Sequence, residues 1–82
     1  MPYYLYILKC ADNTLYTGIT TDLKRRTVEH NVGNLGSKYT RARRPVKVVY
    51  SKRFKTRSMA SKEEARIKGL KRAEKMGLIK KK

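Results

Sequence analysis

Eighty-two residues allow one domain, with a core close to the lower limit for independent folding. Lys and Arg number 22 against six Asp and Glu, a formal charge of +16, and such a field draws polyanions. Cys10 is the lone cysteine and His30 the lone histidine, which excludes a disulfide framework and a structural zinc site.

The basic residues are unevenly placed: residues 1–20 hold only Lys9, while residues 41–82 hold seventeen. Nucleic-acid backbones are the commonest partner for such a surface, through phosphate contacts and counterion release. An anionic membrane is the competing reading. It is set aside because no segment opposes a wide apolar face bearing Trp or Phe to a basic one. There is no basic-then-apolar leader and no apolar run near the length of a membrane span, so a soluble, cytoplasmic protein is expected.

Along the chain, Tyr3 to Cys10 is aromatic and aliphatic, a strand pattern. Ala11-Asp12-Asn13-Thr14 is turn chemistry, and Leu15 to Thr20 resumes the strand, giving a β-hairpin. Thr20 or Thr21 is expected to cap a helix, with Asp22 in its first turn, that runs to about His30. Asn31 to Gly36 reads as a loop. Residues 37–45 read as a basic connector whose Lys38, Arg41, Arg43 and Arg44 are candidate phosphate contacts. Val46 to Tyr50 is a third strand after Pro45. Ser58 is expected to cap a second helix carrying Met59, Ala60, Ile67 and Leu70, and Arg72 to Ile79 a shorter third. Residues 1–79 would form the domain and Lys80 to Lys82 a solvated tail. The order ββαβαα argues an α/β fold: a three-stranded, mainly antiparallel sheet flanked by helices.

The six carboxylates are Asp12, Asp22, Glu29, Glu63, Glu64 and Glu74. With Asp12 claimed by the turn and Asp22 by the helix start, a two-metal nuclease site is hard to assemble. A single ion held by one carboxylate, water and substrate phosphate suits Mg²⁺ better. Tyr6 and Tyr16 lie ten residues apart on the two hairpin arms, Arg26 ten further on, and His30 at i+4 from Arg26 on the same helix face. Gly18 inside the second strand marks close backbone approach. The two tyrosines share a face only if paired residue numbers sum to an even value. That favours a three-residue loop (Asp12 to Thr14) or a five-residue one over the four-residue loop of the turn chemistry. Taken singly, these features also fit strand packing and a solvated helix face.

Tyr4-Leu5-Tyr6 followed by Tyr16-Thr17-Gly18 resembles the paired motif of the GIY-YIG nuclease superfamily. The succeeding Thr20-Thr21-Asp22-Leu23-Lys24-Arg25-Arg26, with His30, is similar to its arginine-bearing helix. Lys38-Tyr39-Thr40, Arg44-Pro45-Val46, Ile67-Lys68 and Arg72-Ala73-Glu74-Lys75 extend the likeness to small stand-alone bacterial members over nearly the whole chain. The resemblance implies a compact α/β domain that hydrolyses phosphodiester bonds with Mg²⁺ or Mn²⁺, in DNA rather than RNA, in repair or recombination. It implies Tyr6 and Tyr16 lining the site with one helping to deprotonate water, Arg26 on the scissile phosphate, His30 beside them and Glu64 on the metal. A protein partner supplying specificity fits so small a domain. The alternative is a non-catalytic nucleic-acid-binding module on the same scaffold. Larger members carry an Asn after the catalytic Glu and none lies beyond Asn34 here, while helical periodicity centres the apolar stripe nearer Glu63 than Glu64. A tyrosine acting as a phenolate needs its pKa lowered by about three units from ~10, roughly 4 kcal/mol, for which Arg26, a metal and the basic field are the expected source.

Overall fold

A computed structural model describes residues 1–33 and 36–80. The elements are β1 (Tyr3–Lys9), β2 (Leu15–Thr20), α1 (Leu23–Asn31), α2 (Lys38–Arg41), β3 (Lys47–Phe54), α3 (Arg57–Lys68) and α4 (Arg72–Lys80). The sheet is antiparallel throughout, in the order β2-β1-β3, so the first strand is the central one. Its apolar run explains this: Leu5, Ile7 and Leu8 are fully buried and Tyr6 is 1% exposed, because both faces of a central strand are covered.

Side chains alternate between two cores. On one face Tyr6, Leu8, Cys10 and Val46 cluster with Tyr16, Leu23 and Val48. On the other, Leu5, Ile7 and Ile67 pack with Ile19, Phe54, Leu70, Leu78 and Ile79, which seats α3 and α4 there. Among the described residues no helix is long and apolar enough to cross a membrane.

The hairpin register meets the even-sum requirement: Tyr6 pairs with Gly18 and Leu8 with Tyr16. Five residues, 10–14, separate the strand ends, and the Cys10 amide still donates to the Thr14 carbonyl at 2.9 Å. Asn13 makes the reversal at φ 69°, in the left-handed region that Asn tolerates better than most residues.

Several boundaries differ from the sequence expectation. Asp22, not Thr20 or Thr21, caps α1, accepting from the Arg25 amide, while the Thr20 hydroxyl accepts from the Asp22 amide. Thr56 rather than Ser58 caps α3. Met59 is exposed, whereas Ala60 and Ile67 are fully buried. The third strand continues to Phe54 because β1 offers partners as far as Tyr3, and the ladder carries Ser51, Lys52 and Arg53 despite their poor strand preference. The connector at 37–45 contains a helical turn, α2, capped by the Ser37 side chain. The expected order therefore holds for the long elements, with this turn inserted. α4 runs through Lys80, the first residue of the expected tail, while Lys81 and Lys82 lie outside the described residues.

The end of α1 is tied to the start of β3 by one side chain. The Asn31 amide nitrogen donates to the Val46 carbonyl at 3.0 Å, and its oxygen accepts from the Val46 amide at 2.8 Å. One carboxamide thus completes the backbone pairing of a residue just outside the sheet, and His30 is fixed by its neighbour's anchor. Asn31→Ala leaves both Val46 groups without these partners. It is expected to lower the unfolding free energy by about 1–3 kcal/mol, measured as a reduced urea midpoint at unchanged slope.

Candidate active site

Four of the residues singled out by sequence converge on the α1 face of the sheet. Tyr6 from β1 and Tyr16 from β2 stand side by side, ring centroids 6.4 Å apart. His30, fully buried near the end of α1, meets both edge-on, 5.9 Å from Tyr6 and 5.2 Å from Tyr16. The Tyr6 hydroxyl lies 2.9 Å from His30 Nε2, and the positive charge of Arg26 acts on the same phenol. Gly18 makes the arrangement possible: a Cβ there would sit 2.7 Å from the Tyr6 hydroxyl and 3.3 Å from the Tyr16 ring. The glycine flagged inside the second strand is therefore the floor on which Tyr6 rests.

Several contributors escaped the sequence reading. Glu29 holds Arg26 through a 2.8 Å ion pair at i+3, a spacing that could have been read from the helix. Thr40, fully buried on α2, contacts His30 Nδ1 at 2.8 Å. Tyr39 stacks on Tyr16 at 5.8 Å and is covered in turn by Arg43, 4.0 Å from the ring centroid. Reading Lys38 to Arg41 as plain connector concealed both residues.

The basic residues of this segment divide. Arg43 pairs with Asp12 at 3.1 Å and donates to the Tyr39 carbonyl. Arg44 donates to the His30 and Gly33 carbonyls at 2.8 and 2.7 Å. Both guanidiniums thus brace the segment, whereas Lys38 and Arg41 are exposed on α2.

Glu64 belongs to a different layer. It projects from α3, which packs on the Leu5 and Ile7 face, and its carboxylate lies 3.3 Å from Lys68. Its charge still reaches the Tyr6 phenol, as the weakest of the influences on it. Glu63 instead makes a two-pronged contact with Arg66 at 2.8 and 2.6 Å and faces Lys52. Of the two, Glu64 is the one whose charge reaches Tyr6. Among the described residues no three His, Cys, Asp or Glu side chains gather as a metal cage. The single carboxylate suits a hard cation that keeps most of its water.

The protonation states follow from burial. Tyr6 is pushed up to about 12, because desolvation of the phenolate outweighs the attraction of Arg26. For Tyr6 the direction is thus opposite to the lowering that a phenolate base needs. His30 is pushed down to about 4, first by burial and next by the positive charge of Arg26, so at pH 7 it is a neutral imidazole.

The chain is similar to known proteins along nearly its whole length. The family model described as the GIY-YIG catalytic domain matches residues 2–77. A UPF0213 protein of Natronomonas pharaonis is 51% identical over 77 residues, covering 94% of this chain and 89% of the relative. One of Syntrophus aciditrophicus is 52% identical over 77 residues, covering 94% and 88%. The solution NMR structure of a UPF0213 protein from Bacillus halodurans aligns with TM-score 0.65 at 40% identity, over all of this chain and 86% of that one.

The depressed His30 pKa has a consequence for stability. The unfolded chain takes up the proton near pH 6.5 and the folded one only near pH 4. The contribution is therefore fully present above 6.5, falls as pH drops between those values, and is level below about 4, a loss of about 3 kcal/mol in all. With one histidine in the chain, an NMR titration should show a single imidazole midpoint near 4. Urea midpoints should decline over the same window, more steeply than in His30→Gln.

Proposed function

Because this chain belongs to the GIY-YIG catalytic domain family, we propose that it is an endonuclease that hydrolyses phosphodiester bonds in DNA, with a divalent cation at Glu64. The observation that carries this reading is the buried contact between the Tyr6 hydroxyl and His30 Nε2, with Arg26 on the same phenol. Buried polar groups converging beside an uncompensated basic surface suit proton transfer next to a bound phosphate.

Arg26 binds the scissile phosphate, its fork oriented by Glu29, and there neutralises charge that grows on the phosphate oxygens. When the guanidinium turns to the phosphate it uncovers the Tyr6 oxygen. That oxygen then accepts a proton from the attacking water while the phenol proton passes to His30 Nε2, so no free phenolate forms. The phosphate also offsets the Arg26 charge that depresses His30, which makes the imidazole a better acceptor as substrate binds. Tyr16 lines the site beside them. A Mg²⁺ or Mn²⁺ held by Glu64 would supply Lewis-acid stabilisation of the phosphate, once Lys68 has yielded the carboxylate.

Nucleic acid has further cationic surface to follow. A hollow of about 210 Å³ beside Tyr39 is lined by Thr14, Leu15, Arg72 and Lys75. Among the described residues Arg72 and Lys75 carry no ion pair. A role in repair or recombination, with a protein partner supplying specificity, suits so small a domain. A second reading, a non-catalytic nucleic-acid-binding module, draws on the engagement of Glu64 by Lys68 in a separate layer.

Labelled flaps, forks, single strands and RNA hairpins, incubated with Mg²⁺, Mn²⁺ or chelator, separate the two. Metal-dependent products are expected from DNA. Arg26→Ala and Glu64→Ala should each reduce cleavage by about 100-fold or more, with affinity changed only severalfold. Salt-dependent binding without product on any substrate establishes the second reading instead, whereas full activity in both variants removes Arg26 and Glu64 from the cleavage machinery.

A further inference from the structure

A neutral imidazole carries its proton on either nitrogen, and the proton relay requires a bare Nε2. We propose that Thr40 is a positioning residue that makes this choice: by accepting a hydrogen bond from Nδ1–H, it keeps the Nε2 lone pair turned to Tyr6. This rests on the endonuclease reading for its catalytic consequence, though not for its chemistry.

The inner end of the hydrogen-bond line sets its polarity. At the inner end, the Thr40 hydroxyl lies 3.1 Å from the Ser37 carbonyl, which can only accept, so the hydroxyl proton is directed there. Its lone pairs then face His30 Nδ1 at 2.8 Å, and that nitrogen must carry the proton. At the outer end, an Nε2 left bare by a protonated Nδ1 can only accept, so the Tyr6 hydroxyl gives its proton to it at 2.9 Å. The line runs from Tyr6 through His30 and Thr40 to the Ser37 carbonyl without a conflict of donors. Tyr6, His30 and Thr40 are each 1% exposed or less, so water does not compete for these bonds.

The position of Thr40 is itself fixed. Ser37 caps α2 by accepting from the Thr40 amide at 3.2 Å, which places the two hydroxyls 3.1 Å apart. Gly36 lets this turn approach the end of α1, since a Cβ there would lie 2.8 Å from both the Glu29 carbonyl oxygen and His30 Cα. Arg44 closes the other side, donating to the His30 carbonyl at 2.8 Å. A four-residue helix with no apolar side chain in its own core contribution is thereby held against one imidazole.

A purely structural role for Thr40, filling space and satisfying a buried ring nitrogen, predicts no tautomer preference beyond its loss of stability. The experiment reads the ring nitrogens of the single histidine by ¹⁵N NMR in the full-length protein near pH 7. The expected wild-type signature is a protonated Nδ1 and an unprotonated Nε2. Thr40→Val, which swaps the hydroxyl for a methyl, should shift the population toward Nε2–H and reduce cleavage about 100-fold, with nucleic-acid affinity within twofold. Thr40→Ser should restore both the Nδ1–H signature and the rate. Nε2–H in the wild type, or Nδ1–H retained in Thr40→Val, overturns the proposal. The wild-type measurement decides even if the Val variant does not fold. If the protein cuts no substrate, the tautomer is still read, so failure of the endonuclease reading is distinguished from failure of this one.

Discussion

The buried hydrogen-bond line from Tyr6 through His30 to Thr40 is the constraint around which the α1 side of the molecule is built. A domain of this size has little apolar area to bury, yet it places a phenol, an imidazole and a hydroxyl where water does not reach. Each would cost on the order of 1–3 kcal/mol if left without a partner, so the line is stable only when complete. Completion draws on three elements distant in sequence: β1 supplies the phenol, α1 the imidazole and α2 the hydroxyl. Folding this face and assembling the site are consequently one event. Asn31 and Arg44, which touch no substrate in the proposed mechanism, hold the α1 terminus that carries His30.

Electrostatics sets a second limit. With a charge of +16 the chain repels itself, and its six carboxylates are all engaged. Asp12 pairs with Arg43, Asp22 caps α1, and Glu29 holds Arg26. Glu63 pairs with Arg66, Glu64 with Lys68, and Glu74 accepts from the Lys71 amide at the start of α4. Arg43 and Arg44 are internal braces, so the cationic surface open to phosphate is narrower than composition suggests. Lys38 and Arg41, exposed on α2, and Arg72 and Lys75, on α4 beside Tyr39, remain as its members.

What was legible in the sequence followed from local periodicity. Alternation in Tyr3–Lys9 and Leu15–Thr20, with turn residues between, was enough for the hairpin, and parity stated which registers would put Tyr6 and Tyr16 on one face, a condition the observed pairing meets. Gly18 read as a close approach because a strand glycine has few other uses. Illegible features were those decided by tertiary contact. Ser37 to Arg41 is too short and too basic to show a helical period, yet it contributes Thr40 and Tyr39. Residues 51–54 lack strand propensity and are recruited by pairing with β1. The layer from which Glu64 approaches depends on Ala60 and Ile67 rather than Met59 facing the sheet, a rotation that the weak apolar pattern of α3 left ambiguous.

The sharpest difference between sequence and structure concerns the base. From residue types alone, a tyrosine beside an arginine in a basic protein suggests a lowered phenol pKa. The geometry reverses the sign for Tyr6, because desolvation is larger than the attraction of one guanidinium. A phenol held near 12 cannot be a phenolate at neutral pH, but it can pass a proton along a preformed hydrogen bond. Such a relay needs an acceptor that is uncharged and correctly oriented. His30 meets the first condition through the same burial that disables Tyr6, since desolvation pushes the two groups' pKa values in opposite directions and leaves both neutral. The low polarity of this pocket, which looks hostile to ionic catalysis, is what keeps a donor and an acceptor facing each other without either being ionised.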